Sequence, residues 1–398
     1  EKQLVQTADL AVSGAGANGS SIAFHRARAG AGKVVVVERW HLAAGATGKS
    51  GALVRMHYTN EPETRLAVES LKYFTNWQEM VGGECGFQPI GLLVFTPPER
   101  HDHLEANVAM QRRAGANAAI IPPELARELD PSLYVGDVTQ LAYEPDSGYA
   151  DPNATTYSFA RAAMQRGVDF RLETRVTRVL TAGDQVTGVE TTAGAIAAPI
   201  VVIAAGAWAN QLFAPLGIDL GLVPTEARVT LFRWAFDRSP KHLTYIDRIN
   251  HTWMRPVDGN CTLVGTEGPE RGSPNPEQYP EAVTAAYIAA CRAQVEHRFP
   301  VMRHSTVRGN WAGVLMQSPD SRPIIDKLPQ YEGLYCMAGD SGTSFKTSPA
   351  IGKCLAEWIT EGRPRTVDLT PFRSTRFAEG KPWLDECDYG VERATISR

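Results

Sequence analysis

Long apolar runs are missing from this chain: no uninterrupted stretch approaches the ~20 residues that a membrane-spanning helix needs. Cysteine is scarce and scattered. The six thiols (Cys85, Cys261, Cys291, Cys336, Cys354 and Cys387) include no CxxC pair and no spacing of metal ligands. That argues against a disulfide scaffold or a metal module, and for reduced thiols in a cytoplasmic protein. Surplus charge is lacking too. With 40 Lys and Arg against 44 Asp and Glu, the net charge is −4, so no bulk field draws the chain to nucleic acid or anionic membrane. There is no internal repeat and no low-complexity linker, which fits domains that exchange chain several times. The first residues lead almost at once into a strand and a glycine loop, so no signal peptide is expected. What remains is 398 residues, 43% of them hydrophobic and 8% aromatic. That is an ordinary globular composition with room for about two or three domains.

The opening stretch carries the most information. Residues 8–13 read as a buried strand, followed by Gly14-Ala15-Gly16-Ala17-Asn18-Gly19 and a helix from about residue 20 to 29. Residues 33–37 (KVVVV) form a second buried strand ending in Glu38-Arg39. Strand, GxGxxG, helix, strand and acid in that order make a dinucleotide-binding unit. Gly14 permits the tight turn, Gly16 lets backbone approach a pyrophosphate, and Gly19 lets helix and strand pack closely. The helix N-terminus turns free N–H groups and its positive dipole end toward the phosphates. Glu38, 19 residues beyond Gly19, is spaced to accept the hydroxyls of an adenosine ribose.

Beyond this unit the spacing predicts helices over 63–80, 101–114, 123–129, 151–166 and 280–299. Strand-like runs occupy 91–95, 176–180, 186–191 and 200–204, the last three as a meander. Strands dominate 225–264, with short buried ones at 324–325 and 334–338. A last helix is expected with Ser348 as its cap and Pro349 at its first position. His101 and His103 flank Asp102 and read as surface residues rather than metal ligands. Arg322 reads equally as a surface residue or one that reaches the active site.

Four separated motifs stand out: Gly14 to Gly19 with Glu38; Gly45-Ala46-Thr47-Gly48-Lys49-Ser50-Gly51; Ala204-Ala205-Gly206-Ala207-Trp208; and Gly339-Asp340-Ser341-Gly342-Thr343-Ser344-Phe345-Lys346. In this order the chain resembles the FAD-dependent amino acid and amine oxidoreductases of the D-amino acid oxidase type. Within them it is most like the sarcosine oxidase, dimethylglycine dehydrogenase and glycine oxidase branch. The resemblance implies an α/β fold: a Rossmann-like FAD-binding domain from residues 1–85, 148–220 and 319–398, of the glutathione reductase kind. An α+β substrate domain with a large mixed sheet, from residues 86–147 and 221–318, would be interleaved with it. FAD contacts are implied at Gly14, Gly16, Ala17, Asn18, Gly19, Glu38 and Arg39, and at Thr47, Lys49, Ser50, Gly51 and Val176. Further contacts are implied at Ala205, Gly206, Trp208, Gly313, Gly339, Gly342, Thr343, Ser344, Phe345 and Lys346. The residues agree independently at the flavin end. A glycine turn over 339–342 leading into the last helix can aim N–H groups and a dipole at developing negative charge. A packing turn is the alternative there.

By the same resemblance Arg55 and Lys346 grip a substrate carboxylate, with Tyr58 and Trp253 as aromatic walls. Taken alone, Arg55 reads as a salt-bridge residue and Lys346 as a solvated charge beside a helix. The resemblance also marks departures. The positions that carry a flavin-linking cysteine or histidine fall on Gly313 and Lys49, so FAD is expected to be non-covalent. A lysine associated with oxygen activation falls at Leu263, with Lys49 as an alternative cation, and a family histidine falls at Glu267. Trp253 stands where the family has tyrosine. The implied activity is oxidation of the C–N bond of a small secondary amine or N-alkyl amino acid, with hydride transfer to flavin N5 and imine hydrolysis. Oxygen or another acceptor takes the electrons. Alternatives are an opine, D-amino acid or cyclic imino acid dehydrogenase using a quinone or flavoprotein, and a non-catalytic flavin subunit of a larger complex.

Overall fold

The computed structural model describes residues 6–30, 32–266 and 274–389. Two large sheets organise it. The first has six strands in the order Ile324–Lys327, Leu334–Ala338, Val201–Ile203, Leu10–Ser13, Val34–Val37 and Asp169–Arg171. All neighbours pair in parallel except the edge strand Ile324–Lys327. Its central strands, such as VVVV at 34–37, are buried on both faces, as expected where helices cover a parallel sheet. Helices Ala17–Arg28, Pro152–Met164 and Ser348–Glu361 pack together on one side. The contact is close: Ser21 Oγ donates to Ser348 O at 2.8 Å, and a side chain on Gly352 would collide with Ser21.

The second sheet has eight strands, ordered Thr306–Gln317, Val223–Arg233, Cys261–Thr266, Thr252–Val257, Thr244–Asp247, Leu92–Phe95, Leu141–Glu144 and Ala119–Ile121. It is mixed, since Thr244–Asp247 runs parallel to Leu92–Phe95 while its other pairings are antiparallel. Helix Ala285–Arg298 packs against it through Tyr287, Cys291 and Val295. Among the described residues no helix is long and apolar enough to cross a membrane, and all six cysteines are free thiols.

Several sequence expectations shift at this level. The first helix starts at Ala17, capped by Gly16, because the glycine loop itself supplies its first turn. The helix expected over 63–80 is two, Glu61–Thr75 and Trp77–Met80, broken at Asn76. Residues 280–284 are not helical, and Thr284 caps Ala285–Arg298 by accepting from Tyr287 N at 3.2 Å. The last helix is capped by Thr347, not Ser348. The meander's third strand is Gly194–Ala197, whereas Val201–Ile203 returns to the middle of the six-stranded sheet. Valine and isoleucine suit either sheet, so the local pattern did not separate the two destinations.

Candidate active site

The glycine loop, the end of Val34–Val37, the 204–208 segment and the 339–342 turn meet at the C-terminal edge of the six-stranded sheet. They line a cavity of about 1040 Å³ that includes Gly14, Gly16, Gly19, Glu38, Arg39, Val176, Ala205, Gly206, Trp208 and Gly339. A second cavity of about 1260 Å³ lies between this edge and the eight-stranded sheet. It is lined by Lys49, Ser50, Gly51, Arg55, Trp253, Gly313, Gly342, Ser344, Phe345 and Lys346. Ala17, Asn18, Ala46, Thr47, Leu315 and Asp340 line both, so the two form one continuous cleft. A continuous cleft running from the glycine loop to the eight-stranded sheet suits a long cofactor with a substrate beyond it.

The dinucleotide end fits FAD on several grounds. Gly14 has φ +106°, and a Cβ there would sit 2.3 Å from Ala204 O. A Cβ on Gly19 would sit 1.9 Å from Gly14 O. Only glycine allows both approaches. At the start of helix Ala17–Arg28 the cap residue makes no side-chain bond and Ala17 N donates to Thr47 Oγ1 at 3.2 Å, so the N–H groups of the cleft-lining Asn18 and Gly19 are the ones available to phosphate. Two buried polar atoms on the cleft wall, Asn18 Oδ1 and Trp208 Nε1, have no protein partner and offer an acceptor and a donor to a ligand. The Glu38 carboxylate accepts from Ala15 N and Trp40 N, each at 2.9 Å. Those two bonds fix its plane, and a carboxylate retains lone pairs for ribose hydroxyls. Glu38→Ala is therefore expected to weaken FAD binding by on the order of 1.5–3 kcal/mol per lost charged hydrogen bond, read as a rise in FAD Kd. An unchanged Kd would remove Glu38 as the ribose ligand.

A connection that the sequence did not reveal closes over this end. Glu277 holds Arg39 through two bonds of 2.8 and 2.7 Å and accepts from Gln211 at 2.9 Å. The Arg39 bond pulls the Glu277 carboxyl down to about 2. Arg39 in turn stacks on Trp40 and Trp208, 4.4 and 4.9 Å from their ring centroids. From the same segment Tyr279 and Glu281 bind Lys49 Nζ at 2.6 and 2.9 Å. Burial lowers the Lys49 pKa, but these two partners more than offset it and raise it. Lys49 lines the cleft with its charge already engaged. Glu277, Tyr279 and Glu281 sit in an irregular stretch with no motif, and only tertiary contact identifies them.

At the far end the wall is shaped by glycines. The Trp253 indole lies against both Gly51 and Gly265, where any Cβ would come within 2.1 and 2.4 Å of the ring. Gly313 lies beside Lys49, with a Cβ there falling 3.1 Å from Lys49 Cδ, so the two positions discussed for covalent linkage are neighbours. Leu263 is buried in its strand and does not line the cleft. Glu267 lies outside the described residues.

Arg55 and Lys346 both line this end and are nearly inaccessible, 4% and 6% exposed. Arg55 directly follows the strand Leu53–Val54, and the next residue is pinned by Met56 N donating to buried Glu144 at 3.1 Å. Its guanidinium donates to His57 O. Lys346 Nζ donates to Thr343 O at 2.9 Å. The Arg55 guanidinium and the Lys346 amine lie 4.6 and 5.3 Å from the centroid of the same ring, Tyr58. Burial first, and then the charge of Arg55, push the Lys346 amine well below the ordinary lysine range, against the opposing pull of Glu63 and Asp340. The surface readings of both residues fail on this burial.

Two expected site residues fall behind the wall. Tyr58 is 2% exposed and spends its hydroxyl on Thr343 O at 2.8 Å, so it supports the two cations from below rather than facing the cavity. Thr343 turns its side chain to Asp340 O and contributes its carbonyl to that support, but it is not a lining residue. Arg322 is buried behind them in ion pairs with Glu63, at 3.3 Å, and Asp385. It braces the site without entering it.

Comparison with known proteins agrees with this architecture. The chain is 25% identical to rat mitochondrial dimethylglycine dehydrogenase over 94% of its length and 46% of the relative's. Thus it spans about half the length of that relative. It is 27% identical to the β subunit of sarcosine oxidase from an Arthrobacter species, over 94% of this chain and 91% of that one. The solved structure of L-proline dehydrogenase from P. horikoshii superposes with a TM-score of 0.89 at 26% identity, covering 96% of this chain and 100% of that one. Residues 9–358 match the DAO model of FAD dependent oxidoreductases. This chain therefore belongs to the DAO family of FAD dependent oxidoreductases, and FAD is its cofactor.

Proposed function

We propose that this chain oxidises the C–N bond of a small amino acid bearing an N-alkylated nitrogen, with its carboxylate held at Arg55. The observation that carries this reading is the placement of two buried basic side chains, Arg55 and Lys346, at the end of the cleft beside the 339–342 glycine turn. A guanidinium lining the far end of the cleft suits a carboxylate, which it can fix through charge-assisted hydrogen bonds. Dimethylglycine, sarcosine and L-proline, named in the relatives, are all α-amino acids with an alkylated nitrogen.

Bound FAD supplies a two-electron acceptor for the hydride equivalent leaving the carbon next to nitrogen. The chain's own residues do the positioning. Arg55 fixes the carboxylate and so orients the carbon that reacts. Trp253 forms an apolar wall over Gly51 that limits the size of the N-substituent. The turn at 339–342 shapes this end of the cleft through Gly339, Asp340 and Gly342 and carries the chain on to Lys346. In this reading the six-stranded sheet and the 1–85, 148–220 and 319–398 segments form the FAD domain, and the eight-stranded sheet forms the substrate domain.

The test is anaerobic. The purified yellow protein should bleach with N-alkyl α-amino acids and remain oxidised with their decarboxylated amines. Bleaching by neither group would favour a non-catalytic subunit, and re-oxidation by quinone but not by oxygen would identify a dehydrogenase. FAD itself should be non-covalent, because the neighbouring positions hold Gly313 and an ion-paired Lys49. Acid precipitation should then release the colour into the supernatant; flavin remaining in the pellet would contradict this.

A further inference from the structure

An amine must be neutral to lose hydride from its adjacent carbon, yet amino acids reach the site as zwitterions. A proton therefore has to leave the nitrogen within the cleft. We propose that Lys346 is the proton acceptor: the bound ammonium gives its proton to Nζ, and the resulting lysinium joins Arg55 in holding the carboxylate. The inference rests on the carboxylate-anchored reading above and adds to it the requirement that amine and carboxylate share one carbon.

The geometry favours this assignment. Lys346 Nζ is buried, lines the cavity and has a carbonyl, Thr343 O, as its hydrogen-bond partner. Among the described residues no carboxylate lies within ion-pair distance of it. The charged groups facing it are Arg55 from the loop after Leu53–Val54, Glu63 from helix Glu61–Thr75 and Asp340 from the glycine turn. Glu63 is engaged by Arg322 and Asn60, and Asp340 by Ser344 Oγ at 3.1 Å. Neither carboxylate is arranged to hold a lysinium, while the guanidinium of Arg55 repels one. These surroundings favour a neutral amine until a substrate carboxylate binds, in agreement with the direction in which burial and Arg55 shift it.

Substrate reverses the balance. Its carboxylate neutralises the field of Arg55 and offers Nζ an anionic partner, so Lys346 becomes basic as the ligand lands. In an α-amino acid the nitrogen and carboxylate are attached to the same carbon, so one side chain serves both. The transfer balances: one N–H bond breaks on the substrate, one forms on Nζ, the electron pair stays on the substrate nitrogen, and net charge is unchanged. Other candidates are less well placed. Tyr58 donates its hydroxyl proton to Thr343 O, and burial raises its pKa. His57 is buried against Tyr389 and does not line the cavity. His251 does line it, from the turn before Thr252–Val257, and the experiment includes it.

The test is calorimetric titration of the FAD-loaded protein with methoxyacetate, a carboxylate without an amine, in two buffers of different ionisation enthalpy. Near pH 8 the wild type should take up about one proton per bound anion, because Lys346 becomes charged. Lys346→Met should abolish uptake, whereas His251→Asn should retain it. Lys346→Arg keeps a cation without a base, so it should bind methoxyacetate without uptake. Its kcat/KM should rise about tenfold per pH unit toward the substrate amine's own pKa, where the wild type is flatter. Arg55-dependent binding with no uptake in the wild type, or uptake that persists in Lys346→Met, would overturn the proposal alone. Failure of methoxyacetate to bind in an Arg55-dependent way would overturn the carboxylate reading and this proposal with it.

Discussion

Arg55→Met should raise the substrate Kd about ten- to a hundredfold while leaving flavin content unchanged. A hydrogen bond to a charged group contributes roughly 1.5–3 kcal/mol, and about 1.4 kcal/mol is a factor of ten. The guanidinium is desolvated, being 4% exposed, so the upper part of that range is expected. The same substitution removes the charge that depresses the Lys346 amine, so Lys346 should shift back toward the ordinary lysine range and partly replace the lost cation. That coupling predicts a specific pattern. The single Arg55→Met variant should retain weak, carboxylate-dependent binding, and the double variant with Lys346→Met should lose it. Two independent losses that simply add would mean that the residues do not share one anion. Decarboxylated amines should bind wild type and variants with equal, low affinity, and equal discrimination against them in Arg55→Met would sink the anchor.

The parts of the molecule legible from sequence were those where local chemistry allows one residue type. The glycine loop and Glu38 announced the dinucleotide end because tight turn, phosphate approach and ribose contact each require a particular residue within a span of 25 positions, 14 to 38. The 339–346 motif was legible for the same reason. Here the backbone takes positive φ at Gly339, Ser341 and Gly342, a conformation for which glycine is the usual solution.

What remained hidden depends on distance along the chain. Tyr58 and Trp253 looked alike as aromatic residues near a site, yet one is a wall and the other a support. The difference lies in a hydroxyl bond to Thr343, 285 residues away. Glu277 and Glu281 were unremarkable acids until the fold set them against Arg39 and Lys49. Its motif marks Lys346 only as a cation. Its burial beside Arg55 follows only when residues 55 and 346 meet over Tyr58.

The glycine loop supports the other large expected effect. Gly19→Ala should yield protein without flavin and with a much lower Tm, although alanine is the better helix former. The added methyl would lie 1.9 Å from Gly14 O and 3.0 Å from Gly14 C, which are backbone atoms and cannot rotate aside. To fit it, the start of Ala17–Arg28 must lift away from the loop. That displaces the helix N-terminus from the phosphate site and strains its packing on Ser348–Glu361 through Ser21. The cost should exceed the ~1–3 kcal/mol of an ordinary overpacked side chain, since both obstacles are main chain. Gly30→Ala is the control. Gly30 also has positive φ, +69°, but nothing lies within 4 Å of a Cβ there. It should lose only about 1–2 kcal/mol to backbone strain and keep its full flavin complement. The flavin-to-protein absorbance ratio and the melting temperature of the two variants, measured side by side, decide the matter. Normal flavin content in Gly19→Ala would show that the loop tolerates a wider separation of helix and strand, and the phosphate site would then have to be sought away from the helix terminus.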